Sequence, residues 1–273
     1  MRILFSECSP DYEHYIFPYA IWAIPDRGER PSQLFEKGFL PSARDLSRFY
    51  MCRQIRVELG RFSLSSENRR ILRKGRGIEY KLLPRREFHY DERWREFCKT
   101  YTDIKWGKDV MTRERLDALF AWEIVNHVLL YTDREAGRDV GVVTLYLEPG
   151  VMAYYYFAFY DLNYHRRNLG MYMMTTVVDF FAQNGYRYLY LGTCYSRNAL
   201  YKTQFSGAQF WTGFRWSDDL RELKYLLRRP ELVRDRHLLE TEDYLKKFYG
   251  GDLREVLRAA AQQSEGAGVS LRD

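Results

Sequence analysis

The chain has 273 residues, of which 46% are hydrophobic and 29% charged, and it carries a net charge of +6. That apolar share supports a buried core in one large domain or two small ones and excludes general disorder. No run of about 18 uncharged apolar residues occurs, which argues against a membrane-spanning helix. The opening MRILFSECSPDYEHY has too short an apolar run for a signal peptide, so a soluble cytoplasmic protein with no membrane partner is expected.

Residues 15 to 60 read as short extended runs and turns. YIFPYAIWAI is apolar around Pro18, and PDRGERPS has the Pro, Asp and Gly content of a loop. QLFEKGF has the spacing of a short helix stopped at Gly38, and RFYMCRQIRVEL alternates as a strand. In SSENRRILRKGRG, Ser66 stands where a helix cap belongs, and Arg69, Arg70, Arg73 and Lys74 fall at three- and four-residue spacing on one side. Such a side is either a solvated helix face or a phosphate-contacting ridge. A basic chain often meets polyanions, which keeps a nucleic-acid partner in view.

FHYDERWREFCKTYTDIKW and TRERLDALFAWEI carry helical apolar spacing, through Trp94, Phe97 and Tyr101 in the first and Leu116, Leu119, Phe120 and Ile124 in the second. VNHVLLYT, DVGVVTLYLE and VMAYYYFAFYD then read as three strands of an antiparallel meander, joined through DREAGR and PG. After Asp161, LNYHRRNLGMYMMTTVVDFFAQNG is a loop feeding a helix that ends at Gly185. YRYLYLG is a further strand ending at Gly192, and QFWTGFRW one more. From about Leu220 the chain is charged and helical, and QQSEGAGVSLRD reads as disordered. Residues 1–80 are therefore taken as an N-terminal region, 81–220 as the core and 221–273 as a tail.

Meander, helix, strand is the order of a GNAT-type acyltransferase core. The fold class expected is α+β, with two splayed central strands and a smaller N-terminal α/β region. A helix start exposes unpaired N–H groups to a phosphate or an oxyanion. Here that start is RRNLGMY, in which Gly170 would let backbone approach a ligand. Arg167 and Gly170 fit the acetyl-CoA signature, whereas Tyr172 fills its last small-residue position.

Taken together, PYAIWAI with LFEKGFLPSARDLSRFYMCRQIRVEL, then FSLSSENRRILRK, FYDLNYHRRNLGMY and YLYLGTCYSRNALYKTQF, resemble the aminoacyl-tRNA–protein transferases. These are the eukaryotic arginyl-tRNA transferases and their bacterial arginyl- and leucyl-transferase relatives. The resemblance spans roughly residues 15 to 216. Family members often carry paired N-terminal cysteines; here Cys8 and Cys52 alone stand in those regions, and two ligands do not complete a tetrahedral site, so no metal is expected. The four cysteines, Cys8, Cys52, Cys98 and Cys194, form no C-x-x-C pair and read as reduced thiols. At the end of the YLYLG strand the family has Cys-x-Lys-Met-x-Tyr-Lys. Tyr201 and Lys202 match, whereas Ser196, Asn198 and Ala199 depart, which bears on substrate choice.

The resemblance implies transfer of arginine or leucine from charged tRNA to the α-amine of a protein N-terminus that begins with an acidic residue, in the N-degron pathway. The aminoacyl-tRNA is a co-substrate and no other cofactor is called for. Backbone N–H groups from Asn168 to Gly170 are candidates for the oxyanion or a phosphate, and Asp161 for the proton or the ammonium. Asp161 is equally placed to cap a turn. Arg166 and Arg167 are either a tRNA phosphate or ribose clamp or a solvated pair. Lys202 and Arg197 offer cations to an acidic acceptor residue, and Tyr195, Asn198 and Tyr201 are candidate pocket walls. His89, His127 and His165 pair with no obvious nucleophile, which sets hydrolysis aside. Two other readings stand beside this one, an acetyl-CoA-dependent N-acetyltransferase and a non-catalytic RNA-binding relative.

Overall fold

The computed structural model describes residues 1–232 and 237–266. The chain opens with strands β1 (Arg2–Glu7) and β2 (Tyr19–Ile24), then helix α1 (Pro31–Glu36), β3 (Phe39–Pro41) and β4 (Phe49–Met51). These strands form a four-stranded sheet ordered β1-β2-β4-β3. Pro31 begins α1 because a missing N–H costs nothing in a first turn. Next come β5 (Gln54–Glu58), α2 (Ser66–Lys74), β6 (Ile78–Pro84), α3 (Glu92–Trp106) and α4 (Arg113–Ala121). The meander follows as β7 (His127–Asp133), β8 (Arg138–Glu148) and β9 (Met152–Tyr160), then α5 (Leu169–Gln183) and β10 (Tyr188–Thr193). The chain continues through β11 (Ala208–Trp211), β12 (Trp216–Ser217), α6 (Leu220–Leu232), α7 (Glu242–Tyr249) and α8 (Leu253–Gly266).

The fold is a mixture of helices and strands built on an eight-stranded sheet ordered β12-β11-β5-β10-β9-β8-β7-β6. Every neighbouring pair described in it is antiparallel except β9 and β10, which run parallel. The meander stands where the alternation placed it. Parallel strands need a crossover, and α5 supplies it between β9 and β10. Alternation, shifted by one residue at the bulge between Tyr155 and Phe157, divides β9 between two cores. Tyr155 packs with α2 and α5 on one face, while Tyr154 and Phe159 pack with α3 and α4 on the other. Burying a side chain such as Val177 or Phe181 of α5 contributes roughly 1.5–3 kcal/mol.

Several sequence expectations are corrected. RFYMCRQIRVEL is two strands, because the chain leaves the small sheet at Cys52 and Arg53 and enters the large one as β5. β5 lies between β10 and β11, so residues 54–58 belong to the central sheet, and the boundary expected at residue 80 falls inside β6. β6 is not among the expected strands, although Ile78, Tyr80 and Leu82 alternate with Glu79 and Lys81 along this edge strand. QFWTGFRW is a hairpin, not one strand. The cap of α2 is Ser65, not Ser66: Ser65 Oγ accepts from the Asn68 N–H at 3.1 Å, and Asn68 Oδ1 accepts from the Ser65 N–H. α8 runs to Gly266, into the stretch expected to be disordered; the rest of that stretch lies outside the described residues.

α2 is fixed to α5 by close contact at one glycine. A Cβ on Gly75 would stand 2.1 Å from the Tyr172 ring, and the Tyr172 hydroxyl donates to the Ile78 carbonyl at 2.8 Å. Gly75→Ala therefore forces a buried ring aside and is expected to destabilise the chain by about 1–3 kcal/mol in urea unfolding. Unchanged stability would show that the two helices are free to separate.

Candidate active site

β9 and β10 pair over three positions, Tyr188↔Met152, Leu189↔Ala153 and Tyr190↔Tyr154. Beyond them β9 stays with β8 as far as Tyr160. β10 turns toward β5 through a register shift between Tyr190 and Gly192, where Gly192 takes a φ of +78°. The strand thus passes through Gly192 to Thr193 instead of ending at the glycine. The two strands part, and a cavity of about 680 Å³ opens between them. Tyr155, Leu191, Met171 and Met174 form apolar walls, and Tyr101 and Trp106 of α3 close another side. Asn168, Thr193, Lys105, Lys202 and several tyrosines, Tyr201 among them, bring polar groups to its lining, and no carboxylate side chain lines it.

The start of α5 points into this space. Asn168 takes a left-handed conformation (φ 54°, ψ 46°) that ends the 3-10 segment Leu162–Arg167 and begins α5. Its side chain makes no capping bond, so the first helical N–H groups are not satisfied by it. Gly170 is small for a reason the sequence did not give. A Cβ there would lie 2.6 Å from the Tyr160 hydroxyl, so the glycine admits a tyrosine rather than the ligand directly.

Lys202 comes from the 3-10 segment Arg197–Thr203 and donates from Nζ to the Thr193 carbonyl at 2.9 Å. Burial holds its pKa below the ordinary lysine value, against the opposing pull of Cys194. Tyr201 beside it is 47% exposed at the cavity mouth.

The other candidates divide differently. Asp161 does not line the cavity. One carboxylate oxygen accepts from Asn163, through backbone and side chain both at 2.9 Å, and the other pairs with Arg138 at 2.8 Å. Burial opposes its ionisation, but these donors outweigh burial and hold the carboxyl below its usual range, which suits a cap and not a base. Arg167 is a clasp. It pairs with Asp133 at 2.7 Å and donates to the backbone carbonyls of Lys74 and Arg76. Arg166 is exposed. On α2, Arg70 is held by Glu67 and Arg69 donates to the Leu64 carbonyl, while Arg73 and Lys74 are exposed. The Tyr195 hydroxyl accepts from the Arg53 N–H at 2.7 Å, and its ring faces the Arg53 guanidinium. Arg197 and Asn198 are exposed and stand outside the cavity wall.

Sequence reasoning missed the aromatic walls. Tyr101 was read only as an apolar helix position, and Lys105 and Trp106 carried no signal because their partner strand lies about 50 residues further on in the chain.

The depressed pKa of Lys202 has a sign that can be measured. Unfolded, the amine binds its proton up to about its ordinary value; folded, it releases it earlier. Its burial therefore destabilises the chain at neutral pH, and that penalty fades as pH rises from the folded toward the unfolded pKa. The stability of the wild type relative to Lys202→Met should rise between pH 7 and pH 10 in urea unfolding. An offset equal at both values would mean that the amine is fully solvated.

Residues 88–212 match the family model described as the C terminus of arginine-tRNA-protein transferase. An aspartate/glutamate leucyltransferase of Ruegeria pomeroyi is 26% identical over 201 residues, covering 71% of this chain and 70% of the relative. Among solved structures, a DUF2156 domain from Agrobacterium fabrum superposes with a TM-score of 0.42 at 13% identity, over 52% of this chain and 46% of that one. L-PGS from Bacillus licheniformis gives 0.41 at 12% identity, over 65% of this chain and 64% of its own. The chain thus spans about half to two thirds of these structures. The matched segment, residues 88–212, takes in α3 and both parted strands, so over that region the chain is similar to the aminoacyl-tRNA–protein transferases.

Proposed function

We propose that the chain moves leucine from charged tRNA to the α-amine of proteins that begin with Asp or Glu, on a core of GNAT-like type. The observation that carries this reading is the cavity between the parted strands, with apolar and aromatic walls, one half-buried lysine and no carboxylate side chain in its lining. An arginyl group would bring a guanidinium into that space with no anion to meet it, a desolvation penalty of several kcal/mol. A leucyl side chain is at home against Leu191, Met171 and Met174. The relative named an aspartate/glutamate leucyltransferase supports the same choice.

The chemistry asks little of the protein beyond position and charge. The acceptor amine, as the free base, attacks the ester carbonyl. The tetrahedral oxyanion accepts hydrogen bonds from the unpaired N–H groups at the start of α5. The C–O bond then breaks, the terminal ribose hydroxyl leaves with a proton, and an amide remains. Lys202 faces the acidic side chain of the acceptor in a charge-assisted pair. The exposed Arg73, Lys74 and Arg166, beside the start of α5, take the tRNA backbone. Asp161 and Arg167 act one step back, by holding the turn that aims α5. An acetyl-CoA reading meets the Tyr172 ring, which lies against Gly75 where that signature has a small residue. Marking proteins for N-degron degradation in the cytoplasm is the process this reaction would serve.

The test supplies radiolabelled leucyl- and arginyl-tRNA with peptides headed by Asp, Glu or Asn. Label from leucyl-tRNA should pass to the acidic peptides, and Lys202→Met should reduce the preference for Asp over Asn by about tenfold. Transfer from arginyl-tRNA alone would reverse the choice of amino acid, and no transfer from either would remove the reading. A separate measurement concerns Arg73 and Lys74. Replacing each by Ala should weaken tRNA binding regardless of sequence and reduce the salt slope by about one. An unchanged slope would place the phosphates elsewhere.

A further inference from the structure

A second recess, of about 530 Å³, lies beside the reacting cavity. Tyr156 lines both, so the two spaces adjoin across one ring. The other walls are the turn at 41–45 after β3 and Trp122 at the end of α4. The turn is fixed to α4's exit by the Ile124 N–H, which donates to the Arg44 carbonyl at 3.0 Å. The Trp122 side chain is left 47% exposed.

The recess brings together a half-buried cation, an exposed carboxylate and an exposed indole. The Arg44 residue is half-buried, yet its guanidinium has no ion pair or hydrogen bond among the described residues. It lies near enough to Tyr156 to oppose the upward push that burial gives that phenol. Asp45 is exposed and accepts from the Ser47 N–H and hydroxyl through Oδ1. Trp122 offers a flat apolar face. A half-buried cation without acceptors is costly and is relieved by a ligand that supplies them.

A donor, an acceptor and an apolar face side by side match what an extended polypeptide presents: carbonyl, N–H and side chain. A nucleotide fits less well, because its phosphate would meet the Asp45 carboxylate. The sheet also separates the two approaches. Helix α2, which carries the basic residues, packs with α5 on one face, whereas Tyr156 packs with α3 and α4 on the other. We propose that this recess is the subsite for the second and third residues of the acceptor polypeptide, with Arg44 and Asp45 gripping its backbone and Trp122 packing on a side chain. The proposal rests on the acceptor reading above and adds a determinant beyond the first residue.

The experiment compares an Asp-Gly dipeptide amide, which offers the recess no side chain and no third residue, with an Asp-headed pentapeptide amide carrying an aromatic second residue. Leucyl transfer from charged tRNA is measured with the full chain, Arg44→Ala and Trp122→Ala. The wild type should show a pentapeptide KM about tenfold below that of the dipeptide, and each variant should lose most of that advantage. A shift in the KM for charged tRNA instead would assign the recess to the nucleotide and overturn the proposal, as would variants that keep the full pentapeptide advantage. Anisotropy of the labelled pentapeptide with the chain alone separates the two claims. Binding that depends on Arg44 and Trp122 without any transfer leaves the subsite and removes the transferase reading. Transfer with no such dependence does the reverse.

Discussion

Three paired positions between β9 and β10 set the geometry of the whole molecule. They are the parallel contact in an otherwise antiparallel central sheet, and they end after Tyr154 and Tyr190. Antiparallel neighbours then pull the two strands apart, β8 holding β9 and β5 holding β10. The gap cannot close without breaking one of those ladders, so the cavity is a consequence of topology rather than of any one side chain. Backbone edges normally satisfied by a neighbour are left facing the gap, and a ligand able to bond them gains what the sheet gives up.

The charged residues around the gap divide into those that build it and those that face it. Asp161 and Arg167, on either side of one 3-10 turn, are tied to Arg138 and Asp133 at the near ends of β8 and β7. Those two pairs, with the left-handed Asn168, fix the direction in which α5 starts. Lys202 is the contrasting case. It meets a carbonyl and no carboxylate, in a space that burial makes unfavourable for its charge. A cation held in that way is matched to an incoming anion.

Much of the fold was legible because its signals are local. The Pro149–Gly150 turn and the tyrosine-rich strands disclosed the meander, and the apolar run after Gly170 disclosed α5. What stayed hidden depends on distant partners. β6 alternates apolar and charged residues over only five positions, too short a run to stand out before it is seen at the edge of the sheet. RFYMCRQIRVEL reads as one strand because nothing within it records that two sheets share it. For the site, Gly170, Tyr201 and Lys202 were found from motif positions, and all three reach the cavity. Asp161, read as a reacting group or a turn cap, and Arg167, read as a tRNA clamp or a solvated cation, are paired with Arg138 and Asp133; a sequence shows a charge but not the opposite charge that claims it. Tyr101 and Trp106 were absent from the expectation, since a helix and a strand meet there only in three dimensions.

The central claim is that the ester reacts in the gap between β9 and β10. The most direct measurement is a structure of the chain bound to adenosine carrying leucine through a stable 3′-amide. The account predicts the leucyl side chain against Leu191, Met171 and Met174, with the amide carbonyl turned to the first N–H groups of α5. An adenosine conjugate bound elsewhere, with the gap left open to solvent, would contradict it.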